Sequence, residues 1–241
     1  MSSPPPLEAG AYAQPVAVIG DIHGCAALLR LLLSRLPLGM PVLVVGDLCD
    51  RGPDSRGVIE LLAERGARGV IGNHDLWLRA WASGEGFDSF ALHPAMGGAA
   101  TLASYGVEGR GAAAIEAEAW RVPAHHREWL RSLAVALDLE VMGERYWLVH
   151  AGVPATESLA GLRAAEVVPH LAREKPASLL WPKTDPGDML PLDRTVVMGH
   201  VPLRRPCDTG AVLAIDTGAG TLRGGRLTAV ILPERRFVTV G

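Results

Sequence analysis

Asp21 and His23 sit two residues apart in GDIHG, directly behind the apolar run VAVIG. In an extended segment that spacing puts both side chains on one face, where a carboxylate and an imidazole can close on one ion. GDLCDRG places Asp47, Asp50 and Arg51 within five residues, directly behind a second run, VLVVG. The end of a buried strand tolerates that density of charge only where the groups are paired or ligating. RGVIG leads into Asn73, His74 and Asp75, YWLV delivers His150, and TVVMG delivers His200. Taken singly, an Asn after a strand is a turn residue, and a lone histidine is more often a satisfied core or surface group than a ligand. Together they form a donor set. Asp21, His23 and Asp47 offer mixed N/O ligands to one cation, and Asn73, His150 and His200, with Asp47 shared, to a second. Such donors suit manganese, iron or zinc rather than a thiolate-loving ion. A shared carboxylate would hold two cations roughly 3.5–4 Å apart, as in two-metal hydrolases.

The elements that must position these groups are short. Each of the five runs has the length and β-branching of a buried strand. Amphipathic stretches follow the first three: one from Cys25 to Pro37, one opened by the capping-type Asp54 and closed at Gly66, and one from Asn73 to about Gly84. Strand and helix alternate, which predicts α/β layering with the site at the carboxyl ends of strands. Residues 84–135 carry no strand-type run and read as a helical insertion, with a helix over HHREWLRSLA. VLAIDTG, GRLTAVILP and RRFVTV alternate and are split by turn residues, so they read as antiparallel strands. The expectation is a β-rich core of two sheets with flanking helices, in one catalytic domain over 15–241, preceded by a flexible Pro-rich arm over 1–14.

Composition narrows the class. The 241 residues are 49% hydrophobic and 20% charged, with 23 Lys+Arg against 26 Asp+Glu and a net charge of −3. There is no basic excess to neutralise duplex nucleic acid. MSSPPPLEAG lacks the pattern of a signal peptide. The greasiest stretch, CAALLRLLLSRL, is broken by Arg30 and Arg35 and is too short for a bilayer, so no membrane association is expected. Cys25, Cys49 and Cys207 form no CxxC pair, which argues against disulfides and a thiolate metal site and for a reducing cytoplasm. A cysteine nucleophile is disfavoured: Cys25 has no arginine nearer than Arg30, and Cys49 lies between Asp47 and Asp50, which oppose a thiolate.

In order and rough spacing, GDIHG, GDLCDRG, GNHD, HAG (150–152) and GH (199–200) resemble the calcineurin-like metallophosphoesterases. The DRG narrows the resemblance to the phosphoprotein-phosphatase branch, which holds Ser/Thr phosphatases of eukaryotic and phage lambda type and symmetrical diadenosine tetraphosphatases. The similarity spans about residues 16–232, and GGAATLASYG and IDTGAG…GGRLTAVILP are similar to bacterial members. The resemblance implies a four-layer α/β-β/α sandwich with two mixed sheets and a dimetal centre, one cation on Asp21, His23 and Asp47 and the other on Asp47, Asn73, His150 and His200. Arg51 is similar to the arginine that grips phosphate, with Asn73 beside it. His74 matches the residue that protonates the leaving group, and Asp50 its carboxylate partner. The implied chemistry is in-line attack by a hydroxide bridging two divalent ions, manganese first, with iron or zinc as alternatives. Two departures stand out. Asp75 replaces the branch's usual glutamate, and in LLWPKTDP (179–186) Lys183 stands where a second phosphate-binding arginine is usual. Lysine lacks the bidentate fork.

The branch implies phosphorylated protein as substrate, at Ser/Thr or also Tyr, with symmetrical hydrolysis of dinucleoside tetraphosphate as the alternative. The latter would use base stacking on Phe87, Phe90, Tyr105 or Trp120 and cations such as Arg110 and Arg121. A scaffold that had lost catalysis would be missing ligands or the acid, and none is missing. The oligomeric state is left open.

Overall fold

The computed structural model describes residues 3–155, 159 and 161–241. Its strands are β1 (Leu7–Tyr12), β2 (Val16–Ile19), β3 (Val42–Val44), β4 (Arg68–Gly69), β5 (Ala136–Val141), β6 (Glu144–Val149), β7 (Thr195–Met198), β8 (Cys207–Asp208), β9 (Val212–Ala214), β10 (Leu227–Leu232) and β11 (Arg236–Val240). The α-helices are α1 (Ala26–Arg35), α2 (Ser55–Glu64), α3 (Asp75–Ala82), α4 (Gly98–Ser104), α5 (Ala112–Ala117), α6 (Ala124–Ser132) and α7 (Ala164–Glu174).

Two mixed sheets result, ordered β1-β5-β6-β7-β9-β8 and β11-β10-β2-β3-β4. Strand periodicity divides the core into three. Val16, Val18, Leu43, Val230 and Leu232 of one sheet meet Leu137, Leu139, Tyr146, Leu148, Val197 and Leu213 of the other in a middle layer. The opposite faces are also covered. Ala17, Ile19, Val44 and Ile231 pack on α1 and α2 through Leu29, Leu32, Val58 and Leu62. Trp147, Val149, Val196 and Met198 pack on α7 through Val167, Val168 and Leu171. Strands buried on both faces explain why the runs read as continuous apolar stretches. The layers are helices, sheet, sheet and helix, the four-layer sandwich expected.

Several local expectations are corrected. Leu7–Tyr12, read as part of a loose arm, is a strand pairing in parallel with β5, from Leu7↔Ala136 to Tyr12↔Val141. The open main-chain edge of β5 accepts any sequence with free N–H groups, and Pro4–Pro6 lie just outside the ladder where their missing N–H costs nothing. β9 is parallel to β7 and antiparallel only to β8, because a strand's direction depends on which neighbour it meets rather than on its own alternation. β10 and β11 do form the expected antiparallel pair. β5 and α7 were not read from sequence, and α7 carries Pro169 in its interior, which hides the helical signal. Residues 84–135 are helical as expected. Leu102, Tyr105, Ile115, Val122 and Leu130 join the same core as α1–α3. Among the described residues no helix is long and apolar enough to cross a membrane.

Candidate functional site

β2, β3, β4, β6 and β7 aim their following loops at one place. Backbone strain gathers there. His23, Asp47, Asp50, Arg51 and His200 adopt positive φ, between 45° and 73°, and among the described residues the other non-glycine positions that do so are Met142 and Arg235. Each such residue costs on the order of 1 kcal/mol and persists where surrounding contacts over-determine it, typically at functional sites. Two glycines permit the crowding. A Cβ on Gly199 would stand 1.9 Å from Asp21 Oδ1, and one on Gly72 would stand 2.2 Å from Asp47 Oδ1. Asp75 staples two of the loops: its carboxylate accepts from Gly72 N at 2.9 Å and from Leu48 N at 2.8 Å. Burial, with the Asp47 charge adding to it, raises the Asp75 carboxyl to about 6.

Buried Asp47 is the centre of the donor set. His23 Nε2 lies 3.6 Å from its Oδ2 and His150 Nε2 3.3 Å from its Oδ1. His150 Nε2 is 3.0 Å from Asn73 Oδ1 and 3.1 Å from His200 Nδ1. The far nitrogen of each imidazole faces a carbonyl: His23 Nδ1 donates to Cys49 O at 2.9 Å, His150 Nδ1 to Val45 O at 2.8 Å, and His200 Nε2 to Trp181 O at 3.1 Å. A carbonyl only accepts, so these nitrogens carry protons, and in His23 and His200 the opposite nitrogen turns a lone pair inward. Burial lowers His23 to about 3 and His200 to about 4, which keeps both neutral. At His150 burial acts downward but Asp47 outweighs it and holds the group above its ordinary value. Burial of Asp47 itself is outweighed by His150, His74 and His23, which keep it ionised. A carboxylate, an amide oxygen and inward-facing imidazole lone pairs form a nest of acceptors that attracts cations, and this chemistry fits divalent metal. Asp21 lies at the edge of the nest. Both of its oxygens accept from His200 N at 3.1 Å, and burial, Asp216 and Asp47 together push its carboxyl well upward.

Beside the nest stands a second group. His74 Nδ1 is 2.8 Å from Asp50 Oδ2, and Asp50 is fully buried. The same carboxylate accepts from Trp77 Nε1 at 3.1 Å and from Thr101 Oγ1 at 2.9 Å. His74 Nε2 therefore points the other way, to Arg51 Nη2 at 2.9 Å. The Arg51 fork also touches His23 Nε2 and donates to Thr221 Oγ1 at 2.9 Å.

These groups border one cavity of about 230 Å³, lined by Asp47, Arg51, Asn73, His74, Lys183 and His200 among others. Lys183 thus lines the same cavity as Arg51. Asp216 and Thr221 line it too, and sequence reasoning passed over both, although Asp216 follows an apolar run just as the recognised ligands do. Of the proposed stacking residues only Phe90 reaches the cavity, joined by Trp181. Tyr105 is buried and Arg121 is paired with Glu118. Cys49 is buried with its Sγ on His74 O. Burial, reinforced by Asp50, Asp75 and Asp47, pushes its thiol far upward and removes it as a nucleophile.

Comparison with known proteins agrees with the geometry. The profile described as calcineurin-like phosphoesterase matches residues 14–237. The serine/threonine-protein phosphatase 1 of Salmonella typhimurium is 32% identical over 221 residues, 88% of this chain and 89% of that protein. The symmetrical bis(5'-nucleosyl)-tetraphosphatase of Ralstonia nicotianae is 49% identical over 74 residues, 29% of this chain and only 26% of that protein. A solved structure provisionally assigned as a diadenosine tetraphosphatase superposes with a TM-score of 0.62 at 24% identity, over 97% of this chain and 96% of that one, which speaks to the fold.

Proposed function

This chain belongs to the calcineurin-like phosphoesterase family, and we propose that it hydrolyses phosphate monoesters on protein serine or threonine, with tyrosine next, using two divalent cations, manganese first among them. The observation that carries the reading is the meeting of the Asp50–His74 pair, the Arg51 fork and the Asp47-centred nest around one cavity.

Asp21, His23 and Asp47 would hold one cation, and Asp47, Asn73, His150 and His200 the other. When bound, such a pair lowers the pKa of water and offsets charge on phosphate oxygens. The chain's own residues do the rest. Arg51 offers a planar fork to two non-bridging oxygens, with Thr221 steadying one Nη. Asp50 holds the His74 Nδ1 proton and would stabilise the imidazolium, whose Nε2 proton would pass to the departing oxygen once Arg51, which donates to that nitrogen here, turns to the phosphate. Trp77 and Thr101 keep Asp50 from rotating. Lys183 supplies a point charge to the same cavity, without a fork. The free cysteines fit a reducing cytoplasm as the place of action.

One feature favours a second substrate, dinucleoside tetraphosphate. Phe90 and Trp181, 51% and 45% exposed, line the cavity and offer aromatic surface to a base, with one Phe90 face already stacked on His93. The test is a panel on manganese-loaded protein: phosphoseryl, phosphothreonyl and phosphotyrosyl peptides and diadenosine tetraphosphate, with nucleotide products separated. The phosphoseryl or phosphothreonyl peptides are expected to give the highest kcat/KM. Symmetrical cleavage to two ADP at a much higher kcat/KM would replace this reading with the second.

A further inference from the structure

Two loops contribute to the lining of this cavity: the β7–β8 connection, through Pro202, and the β9–β10 connection, through Asp216 and Thr221. The same loops also line a second cavity of about 240 Å³, formed by Arg204, Arg205, Thr217, Leu222, Arg223, Gly224, Gly225 and Arg226. Asp216 and Thr217 are chain neighbours, as are Thr221 and Leu222, so the cavities are separated at these points by single Cα steps of about 3.8 Å. The wall is braced. Leu203 N donates to Asp216 O at 3.0 Å and Arg226 N to Thr217 O at 2.9 Å. Thr217 Oγ1 returns a bond to Arg226 O at 2.8 Å.

Four exposed guanidinium groups on one small cavity repel one another, in a chain whose net charge is −3. No carboxylate offsets them among the described residues. Between 202 and 226 the acidic residues are Asp208, which pairs with Arg235, and Asp216, which faces the first cavity and accepts from Gly218 N at 2.8 Å. Unpaired arginines around a concave, mostly polar wall are the usual recognition chemistry for phosphate.

We propose that the arginine cavity is a second phosphate-binding subsite, which holds the continuing chain of an oligophosphate whose terminal phosphoryl group lies at Arg51. The subsite rests on the reading of the Arg51 cavity as a phosphoryl site, and it would add binding affinity for molecules with several linked phosphates. The probe is inorganic tripolyphosphate, used against hydrolysis of an aryl phosphate with free metal held constant. In the wild-type enzyme tripolyphosphate is expected to inhibit much more tightly than orthophosphate. In R223Q/R226Q its inhibition constant should rise roughly tenfold or more. The constant for orthophosphate and kcat for the aryl phosphate should stay the same. R204Q/R205Q, on the other loop, should behave alike and guards against a folding defect in either variant.

An unchanged tripolyphosphate constant in both variants overturns the subsite. Absence of aryl phosphate turnover in the wild type would instead sink the phosphoryl-site reading, and calorimetric titration of tripolyphosphate on the same proteins then decides the subsite separately. Adenosine triphosphate, a nucleotide that ends in a free phosphoryl group, forms the second arm. An equal loss of affinity for it and for tripolyphosphate supports recognition of the phosphate chain, whereas a loss confined to the nucleotide overturns it.

Discussion

Asp50→Asn tests the acid relay most directly. The carboxylate is fully buried and accepts three bonds, from His74 Nδ1 and Trp77 Nε1 at Oδ2 and from Thr101 Oγ1 at Oδ1. An asparagine fits the same space. Its amide NH2 cannot sit at the Oδ2 position, where it would meet two donors, so its oxygen must take that place and the NH2 must face Thr101 Oγ1, which can accept. The shape and the direction of the His74 proton survive, and what is lost is the negative charge that steadies the cationic imidazole. A hydrogen bond to a buried charged group contributes roughly 1.5–3 kcal/mol. With about 1.4 kcal/mol per decade of rate, kcat on an alkyl phosphate, whose leaving oxygen needs a proton, should fall about 10- to 150-fold. An aryl phosphate with an acidic leaving group needs little protonation and should lose far less. The assay is a series of leaving groups on the metal-loaded variant, read as the slope of log kcat against leaving-group pKa, with metal content and Tm measured in parallel. The slope should steepen. An equal loss across the series at unchanged metal content would refute the reasoning, because it would mean that Asp50 supports structure or metal rather than the proton donor.

Three further outcomes follow from the geometry. Asp47→Asn removes the shared charge at the centre of the nest, so the purified variant should retain less than half the metal of wild type by elemental analysis; full retention would contradict the shared-ligand assignment. Gly199→Ala puts a Cβ 1.9 Å from Asp21 Oδ1 and 2.8 Å from Val45 Cγ2. It should lower stability by about 1–3 kcal/mol in denaturant unfolding and loosen metal binding, whereas wild-type values for both would show that the site yields more than argued here. His126, buried beside Glu60 and Tyr105, is held below its ordinary 6.5 by burial against the pull of Glu60. A histidine depressed in the folded state contributes stability that is complete above the unfolded pKa and is lost as pH falls below it. His126→Gln should therefore flatten the decline of Tm between about pH 6.5 and 5 relative to wild type, and an identical decline would exclude His126 as a contributor.

Much of the molecule is legible along the chain. VAVI, VLV, YWLV and TVVM become β2, β3, the end of β6 and β7 because a strand covered on both faces must be apolar throughout. The stretches ending at Pro37, Gly66 and Gly84 become α1, α2 and α3, since their stop signals are local. Elements held by partners rather than by composition were not legible. β1 depends on the edge of β5, β4 shrinks to two residues, and the direction of β9 is set by β7.

The sequence by itself determined which donors exist and that each closes a strand, because residue type and strand length are local properties. Only the tertiary structure decided how those donors face one another: which imidazole nitrogen a carbonyl takes, that Trp77 and Thr101 brace Asp50, that Lys183 and Asp216 share one cavity, and that four arginines meet on a second cavity lined by two of the same loops. The physical reason is that hydrogen-bond direction and charge proximity arise between segments as much as 179 residues apart, as with Asp21 and His200. Such contacts exist only once two sheets have packed and brought their strand ends together.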